Sequence, residues 1–335
     1  MNNQSSKHNT LLLVAGIAFI IWGILGIMDS KNYTYTGYQS SGDYSIIKVE
    51  PGSPAEAAGM QVGDVIKTSG GIAITDSKSL TNRARAKIGE VREFVVNRDG
   101  QDVTLQLTYS EMTGKDNTLN MVAFFIGLLF VVLGYYINSK FNTQLSFAFA
   151  VFAITFGFTF FSGPYIGPGF LSNLINSITT GIFMFSFAAL ALFMLKYPPK
   201  SKFLENDNNR KMLYVPAILI IAIITVLNFL QPDGSSSLNT ILRLIFGVII
   251  IFYFGLALVT LIRKYMNANV ETRSASGLNH MVLGAVIGLL PILIYFTINT
   301  LSPKTIIPGN DYIFLTFAAI PIFFVLGLLK HKKEQ

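Results

Sequence analysis

Bond-breaking chemistry needs particular side chains at particular spacings, and this 335-residue chain has few of them. Its histidines are His8, His280 and His331. None has a second His one helical turn away with the Glu that an intramembrane zinc hydrolase requires. Cysteine is absent, which removes disulfides, thiolate nucleophiles and Cys-ligated metals together. No Gly-x-Ser-x-Gly run occurs, and His280 lies beside a basic loop, not in mid-span. No catalytic residue, metal ligand or cofactor is expected. One stretch, Pro51-Gly52-Ser53-Pro54-Ala55-Glu56-Ala57-Ala58-Gly59-Met60-Gln61-Val62-Gly63-Asp64-Val65-Ile66, has spacing that points to a specific activity. Its chemistry is the capping and turning of backbone.

Several short elements must position that stretch. Ser53-Pro54-Ala55-Glu56 reads as a capping box, in which Ser53 accepts from the N–H of Glu56 and the Glu56 side chain reaches back to the N–H of Ser53. Pro54 fits the first helical position, and Gly59 ends the helix after little more than one turn. Val65 and Ile66 follow as a buried strand that ends at Gly70-Gly71. A second helix is expected from Asp76 or Ser77, with Leu80, Ala84 and Ile88 on one narrow apolar face at i, i+4 and i+8. Alternating residues at 93–97 and 103–107 flank Arg98-Asp99-Gly100, a hairpin signal. Together they predict a small α+β unit over 31–118.

The rest of the chain is of another kind. Mean hydropathy is +0.52, with 51% hydrophobic and only 13% charged residues, outside the soluble globular range. Ten Lys/Arg and eleven Asp/Glu lie between Lys31 and Asp116, so the net charge of +7 belongs to the apolar remainder. Basic loops of a membrane protein account for that charge, and nucleic-acid binding is not expected. Apolar runs long enough to cross a lipid bilayer fall at 11–28, 121–137, 145–161, 174–195, 212–230, 244–262, 281–298 and 312–329. The first reads as an uncleaved anchor: its apolar run is long for a signal peptide, and no small-x-small site follows Met28. Pro216, Pro291 and Pro321 interrupt three of the spans, and no ionisable residue falls inside them, with Arg243 at an edge. Lys196, Lys200, Lys202, Arg210 and Lys211 mark one loop as cytoplasmic. Arg263, Lys264 and Arg273 mark another, and Lys330, Lys332 and Lys333 mark the tail at 330–335. The fold class expected is a polytopic α-helical membrane protein of about eight helices with one inserted α+β domain. Both ends, including residues 1–10, are then cytoplasmic, and the 31–118 domain is extracytoplasmic.

The run from 52 to 66 resembles the most recognisable stretch of bacterial PDZ domains, and the Asn97-Arg98-Asp99-Gly100 turn fits as well. The resemblance covers about 75 residues, near 35–107. It implies that an extended peptide is added as a strand beside the domain's own. Tyr35-Thr36-Gly37-Tyr38 lies where that family keeps its carboxylate-binding loop, whose N–H groups hold the terminal carboxylate as a nest. Leu80 and Ala84 would line the pocket for the last side chain. Thr36 departs from the family's usual apolar residue at its position.

The overall order, anchor helix, outer PDZ-like domain and helical block, resembles the sensor half of competence-pheromone-type histidine kinases. Phe161-Ser162-Gly163-Pro164 and Gly309-Asn310-Asp311-Tyr312-Ile313-Phe314 are short local echoes. The chain stops six residues after Leu329, without the kinase parts. The expectation is a non-enzymatic receptor or sensor module of the bacterial cytoplasmic membrane. It would bind a peptide or protein C-terminus outside and address a cytoplasmic kinase or regulator. The alternative is a scaffold or adaptor that tethers an envelope protein or protease without signalling.

Overall fold

The computed structural model describes residues 2–230 and 236–333. Residues 231–235, part of the loop beside Arg243, and the last two residues of the basic tail lie outside the described residues. The chain opens with α1 (Asn2–Asp29), one straight run through the predicted anchor. A small domain follows: β1 (Thr34–Tyr35), β2 (Tyr38–Ser40), β3 (Ile46–Val49), α2 (Pro54–Ala57), β4 (Val65–Ser69), β5 (Ile72–Ala73), α3 (Ser77–Thr81), β6 (Val91–Arg98), β7 (Gln101–Thr108) and β8 (Ser110–Glu111).

The strands form an antiparallel sheet in the order β5-β4-β6-β7, with two smaller pairs, β2-β3 and β1-β8. Hydrogen bonds from Ile46 N–H to Asp64 O and from Ile66 N–H to Tyr44 O fasten the β2-β3 hairpin to β4. The two apolar faces so brought together bury Ile46, Ala55, Met60, Ile66, Phe94, Val96, Leu105 and Leu107. The β6-β7 turn places Asp99 at φ 52° and Gly100 at φ 86°, the left-handed pair that a two-residue hairpin needs.

Two local expectations need correction. Ser53 does accept from Glu56 N–H (3.2 Å), but the Glu56 carboxylate takes the N–H of Gly52 (2.6 Å), because Ser53 N–H already donates to Glu50 O. The second helix starts as expected, with Asp76 capping Ser79 N–H (2.9 Å). It then stops at Thr81 and does not run on through Ala84 to Ile88. Its residues are poor helix formers (Ser77, Ser79, Thr81), and the Asn82 side chain donates to the Lys78 carbonyl (2.9 Å) at the helix end. Beyond it, polar contacts described below draw Arg83 and Arg85 apart.

The helical block comprises α4 (Gly114–Phe141), α5 (Gln144–Phe158), α6 (Phe170–Lys196), α7 (Asp207–Met212), α8 (Val215–Leu230), α9 (Ser236–Asn267), α10 (Val270–Ala275), α11 (Leu278–Gly288), α12 (Leu290–Leu301) and α13 (Ala319–Lys333). Among the described residues, seven helical segments are long and apolar enough to cross a membrane, not eight. The predicted 145–161 span is α5, whose 15 residues reach only about 22 Å. It sits between α4 and α6 and buries Phe149, Phe152 and Phe156, with Phe130, Phe187 and Phe317 against the last of these. A helix wrapped by its neighbours need not match the hydrocarbon thickness with its own length. The architecture is that of a helical membrane protein carrying one PDZ-like domain.

The prolines do not kink helices in mid-course. Pro216, Pro291 and Pro321 all lie within the first three residues of α8, α12 and α13, where a missing N–H is least costly. The 281–298 span is consequently divided into α11 and α12. The last span begins as a 3₁₀ turn over Asn310–Ala318 before α13. Lys264, two residues past the predicted 244–262 span, is only 8% exposed. Its ammonium donates to the carbonyls of Met194, Leu195 and Tyr197, the free C-terminal groups of α6.

Candidate peptide-binding site

The Ser53-Pro54-Ala55 run and the Tyr35–Tyr38 loop are far apart in sequence but form one structure. Ala55 N–H donates to Thr36 O (2.9 Å) and Glu50 N–H to Gly37 O (2.8 Å), so the first turn of α2 and its approach clamp the loop. Gly37 holds φ +78°, and a Cβ there would fall 2.1 Å from the Ser53 Cβ. Glycine is required on both counts. Among the described residues, no protein acceptor takes the N–H of Thr36 or Gly37.

Beside this loop, β2 pairs with β3 and its other edge is open among the described strands. Gln39 lies opposite Lys48 and Tyr38 opposite Val49. Because the Gly37 carbonyl turns toward β3, antiparallel alternation turns the backbone groups of Tyr38 to the open edge. The Tyr38 ring packs edge-on to Phe94 (6.2 Å). Burial pushes its hydroxyl up to about 12, with Tyr109 acting in the same direction and Arg83 against it.

The structure brings Tyr35, Thr36, Gly37 and Tyr38 together as one loop and separates the other two predicted residues. Leu80 is half-buried on α3, whereas Ala84 is exposed beyond its end, and Ala86 is the buried residue of that segment. Arg83, two residues past the end of α3, donates to Ser69 O (2.6 Å) and Ser69 Oγ (3.2 Å). Arg92 donates to the Ala84 carbonyl (3.3 Å) and lies over the Tyr109 ring.

Sequence reasoning missed how the domain is fastened to the block. The Arg85 guanidinium forks onto Asp29 at the end of α1 (3.0 and 3.3 Å). Tyr165, in the 159–169 loop between α5 and α6, donates its N–H to Asp29 (3.0 Å) and accepts from Arg85 N–H with its hydroxyl (2.9 Å). Tyr33 donates to Gly163 O (2.8 Å), and Arg85 lies over both tyrosine rings (4.6 and 5.2 Å). A second tie joins Lys304 to Asp43 (2.8 Å) at the tip of the β2-β3 hairpin. Burial alone would raise the Asp43 carboxyl, but Lys304, Ser41 and Ser45 hold it well below the usual range. An acid directly after an uncharged 18-residue span, and the run Lys78, Arg83, Arg85, Lys87, were the available signals. Replacing Arg85 with Ala should leave Asp29 half-buried without its cation and free the 159–169 loop. Protease cleavage within that loop should become at least several-fold faster, and unchanged cleavage would show that the contact is incidental.

The third link is covalent. β1 pairs with β8 through Thr34–Glu111 and Tyr35–Ser110. Two residues after β8, Thr113 caps α4 by accepting from Asp116 N–H (3.1 Å). A cleft of about 660 Å³ lies at this junction, lined by Tyr35, Gly37, Tyr38, Lys115, Asp311 and Phe314 among others.

Comparison with known proteins agrees with this geometry. Residues 23–108 match the family described as PDZ domain. The region is 34% identical over 73 residues to a protein named Serine protease HTRA1 from Xenopus tropicalis. That alignment covers 22% of this chain and 15% of the relative. The chain therefore carries a PDZ domain, a peptide- or protein-binding module by class.

Proposed function

We propose that this protein is a non-enzymatic membrane receptor module. Its PDZ domain captures a peptide or protein C-terminus as a strand on the open edge of β2, with the terminal carboxylate on the Thr36 and Gly37 N–H groups. Occupancy passes to the helical block and on to a cytoplasmic kinase or regulator through the 196–214 loop or the basic tail. The observation that carries this reading is the short route from the carboxylate loop through the β1-β8 pair into α4. The charge asymmetry of the loops supports an extracytoplasmic PDZ domain and cytoplasmic termini in a bacterial inner membrane.

The test is binding of a C-terminal peptide library to the full-length protein in micelles, each ligand being compared with its C-terminal amide. Free acids should bind at least about tenfold more tightly, the loss expected when charged hydrogen bonds go unmade. Amides that bind equally well, or no binding at all, would overturn the reading.

One observation favours a second reading, a scaffold that tethers an envelope protein without signalling. α3 is short, and the Asp29 and Asp43 ties hold the domain against the block at two places. Crosslinking separates the two: a kinase or regulator among the partners supports the receptor, and envelope proteins alone support the scaffold.

A further inference from the structure

An apolar crevice of about 420 Å³ runs between α1, α5 and α6 at the end of the block away from the PDZ domain. Its walls include Ala15, Phe147, Ala189 and Leu192, and it is floored at one end by Lys196 and Tyr214. Among the described residues, Lys196 is its only charged lining residue. Among the described residues, this ammonium has neither an ion pair nor a hydrogen bond with protein. Lys264 makes the contrast, since it spends its protons on the three carbonyls at the end of the same helix. Further positive charge gathers around Lys196. Arg210 and Lys200 lie near enough to act on it electrostatically. Arg210 is shared with the exposed Asp207 (3.3 Å), but among the described residues no acid lines the crevice.

A hydrocarbon-lined slot with one unpaired cation at its end matches a molecule with a long apolar chain and an anionic head. The volume is within the range of ligand pockets. Its side is open along Leu11, 66% exposed, and Phe185, so the occupant reaches it from the plane of the bilayer. We infer that this crevice is a binding site for an anionic phospholipid, with one acyl chain between α1, α5 and α6 and the phosphate on Lys196. Basic pockets between helices at a membrane surface are suited to such headgroups.

Native mass spectrometry of the full-length protein, delipidated and supplied with equimolar phosphatidylglycerol and phosphatidylcholine, tests the site. Phosphatidylglycerol should be retained about fivefold more, the factor that one basic residue contributes at an anionic surface. Lys196→Gln should abolish that preference, whereas Arg263→Gln, a cation outside the crevice, should keep it. Ala189→Phe keeps the cation and fills the slot, so it should lose the lipid as well. Thermal unfolding of each variant in lipid-free detergent shows that it is folded. Equal retention of the two lipids by the wild type would overturn the proposal. So would an undiminished preference in folded Lys196→Gln or Ala189→Phe.

Discussion

Replacing Asp64 with Ala is expected to cost the PDZ domain about 3 kcal/mol, the usual effect of removing one partner of a buried ion pair. The Asp64 side chain is 1% exposed, and Arg98 forks onto it at 2.7 and 2.8 Å. It also accepts the N–H of Gln61 (2.8 Å), closing the turn before β4. Arg98 in turn donates to Gly59 O (2.7 Å), where α2 ends. One carboxylate thus ties β6, the α2 exit and the 61–64 turn, whose Asp64 carbonyl receives the N–H of Ile46 from the hairpin. A domain of this size has only about 5–15 kcal/mol to lose. Hydrogen exchange in β4 and β6 should accelerate by about two orders of magnitude; unaltered protection would refute the assignment.

The same pair sets a pH dependence. Burial alone would raise the Asp64 carboxyl, but the bonds from Arg98 and Gln61 N–H outweigh it and hold the group below its ordinary value. The stabilisation is therefore complete above the unfolded value, near 4, and fades as pH falls below it. Asp64→Asn should lose that dependence while keeping the side chain's shape.

The second large effect is expected at Gly26. A Cβ there would lie 1.7 Å from Ser162 O and 2.5 Å from Ser162 C, so any side chain drives the 159–169 loop off α1. One turn earlier, Trp22 packs over Gly163, where a Cβ would meet its ring at 2.1 Å. Close backbone approach through small residues is how membrane helices gain contact. Overpacking of this kind costs about 1–3 kcal/mol. Gly26→Val should also break the Tyr33–Gly163 and Tyr165–Asp29 bonds, since both depend on the loop's position. Trp22 is the sole tryptophan, so its emission reports this one site: a red shift and easier quenching by acrylamide are expected. An unshifted spectrum would mean that the loop is not held by this contact.

The parts legible in the sequence were those governed by local rules. Gly59 at φ +82°, the Asp99-Gly100 turn and the Asp76 cap follow from steric and hydrogen-bonding constraints a few residues wide. The apolar spans were legible because bilayer thickness is a constraint on length. The end of α3 was not. Leu80, Ala84 and Ile88 keep a helical spacing, but the contacts that unwind the segment come from Ser69, Asp29 and Tyr165, up to 80 residues away. The shortness of α5 had the same origin: the 145–161 run is uncharged and mostly apolar, and only the neighbours that enclose α5 decide where it stops. At the candidate site, Tyr35, Thr36, Gly37 and Tyr38 could be picked out as one loop from their motif, while the position of Ala84 beyond the end of α3 shows only in three dimensions.

The position of the PDZ domain between α1 and α4 has a consequence for biogenesis. α1 packs on α4 and α5, yet its first partner begins only at Gly114. At about 5–20 residues per second, α1 waits several seconds in the bilayer with its small-residue face uncovered. In that interval the whole domain is synthesised and can fold. The Arg85–Asp29 contact can close as soon as residue 85 is out, but Tyr165 can join only after α4 and α5 have been inserted. Assembly is therefore ordered by the chain itself, with the domain docking on its anchor first and the 159–169 loop sealing the joint after the second helix of the block.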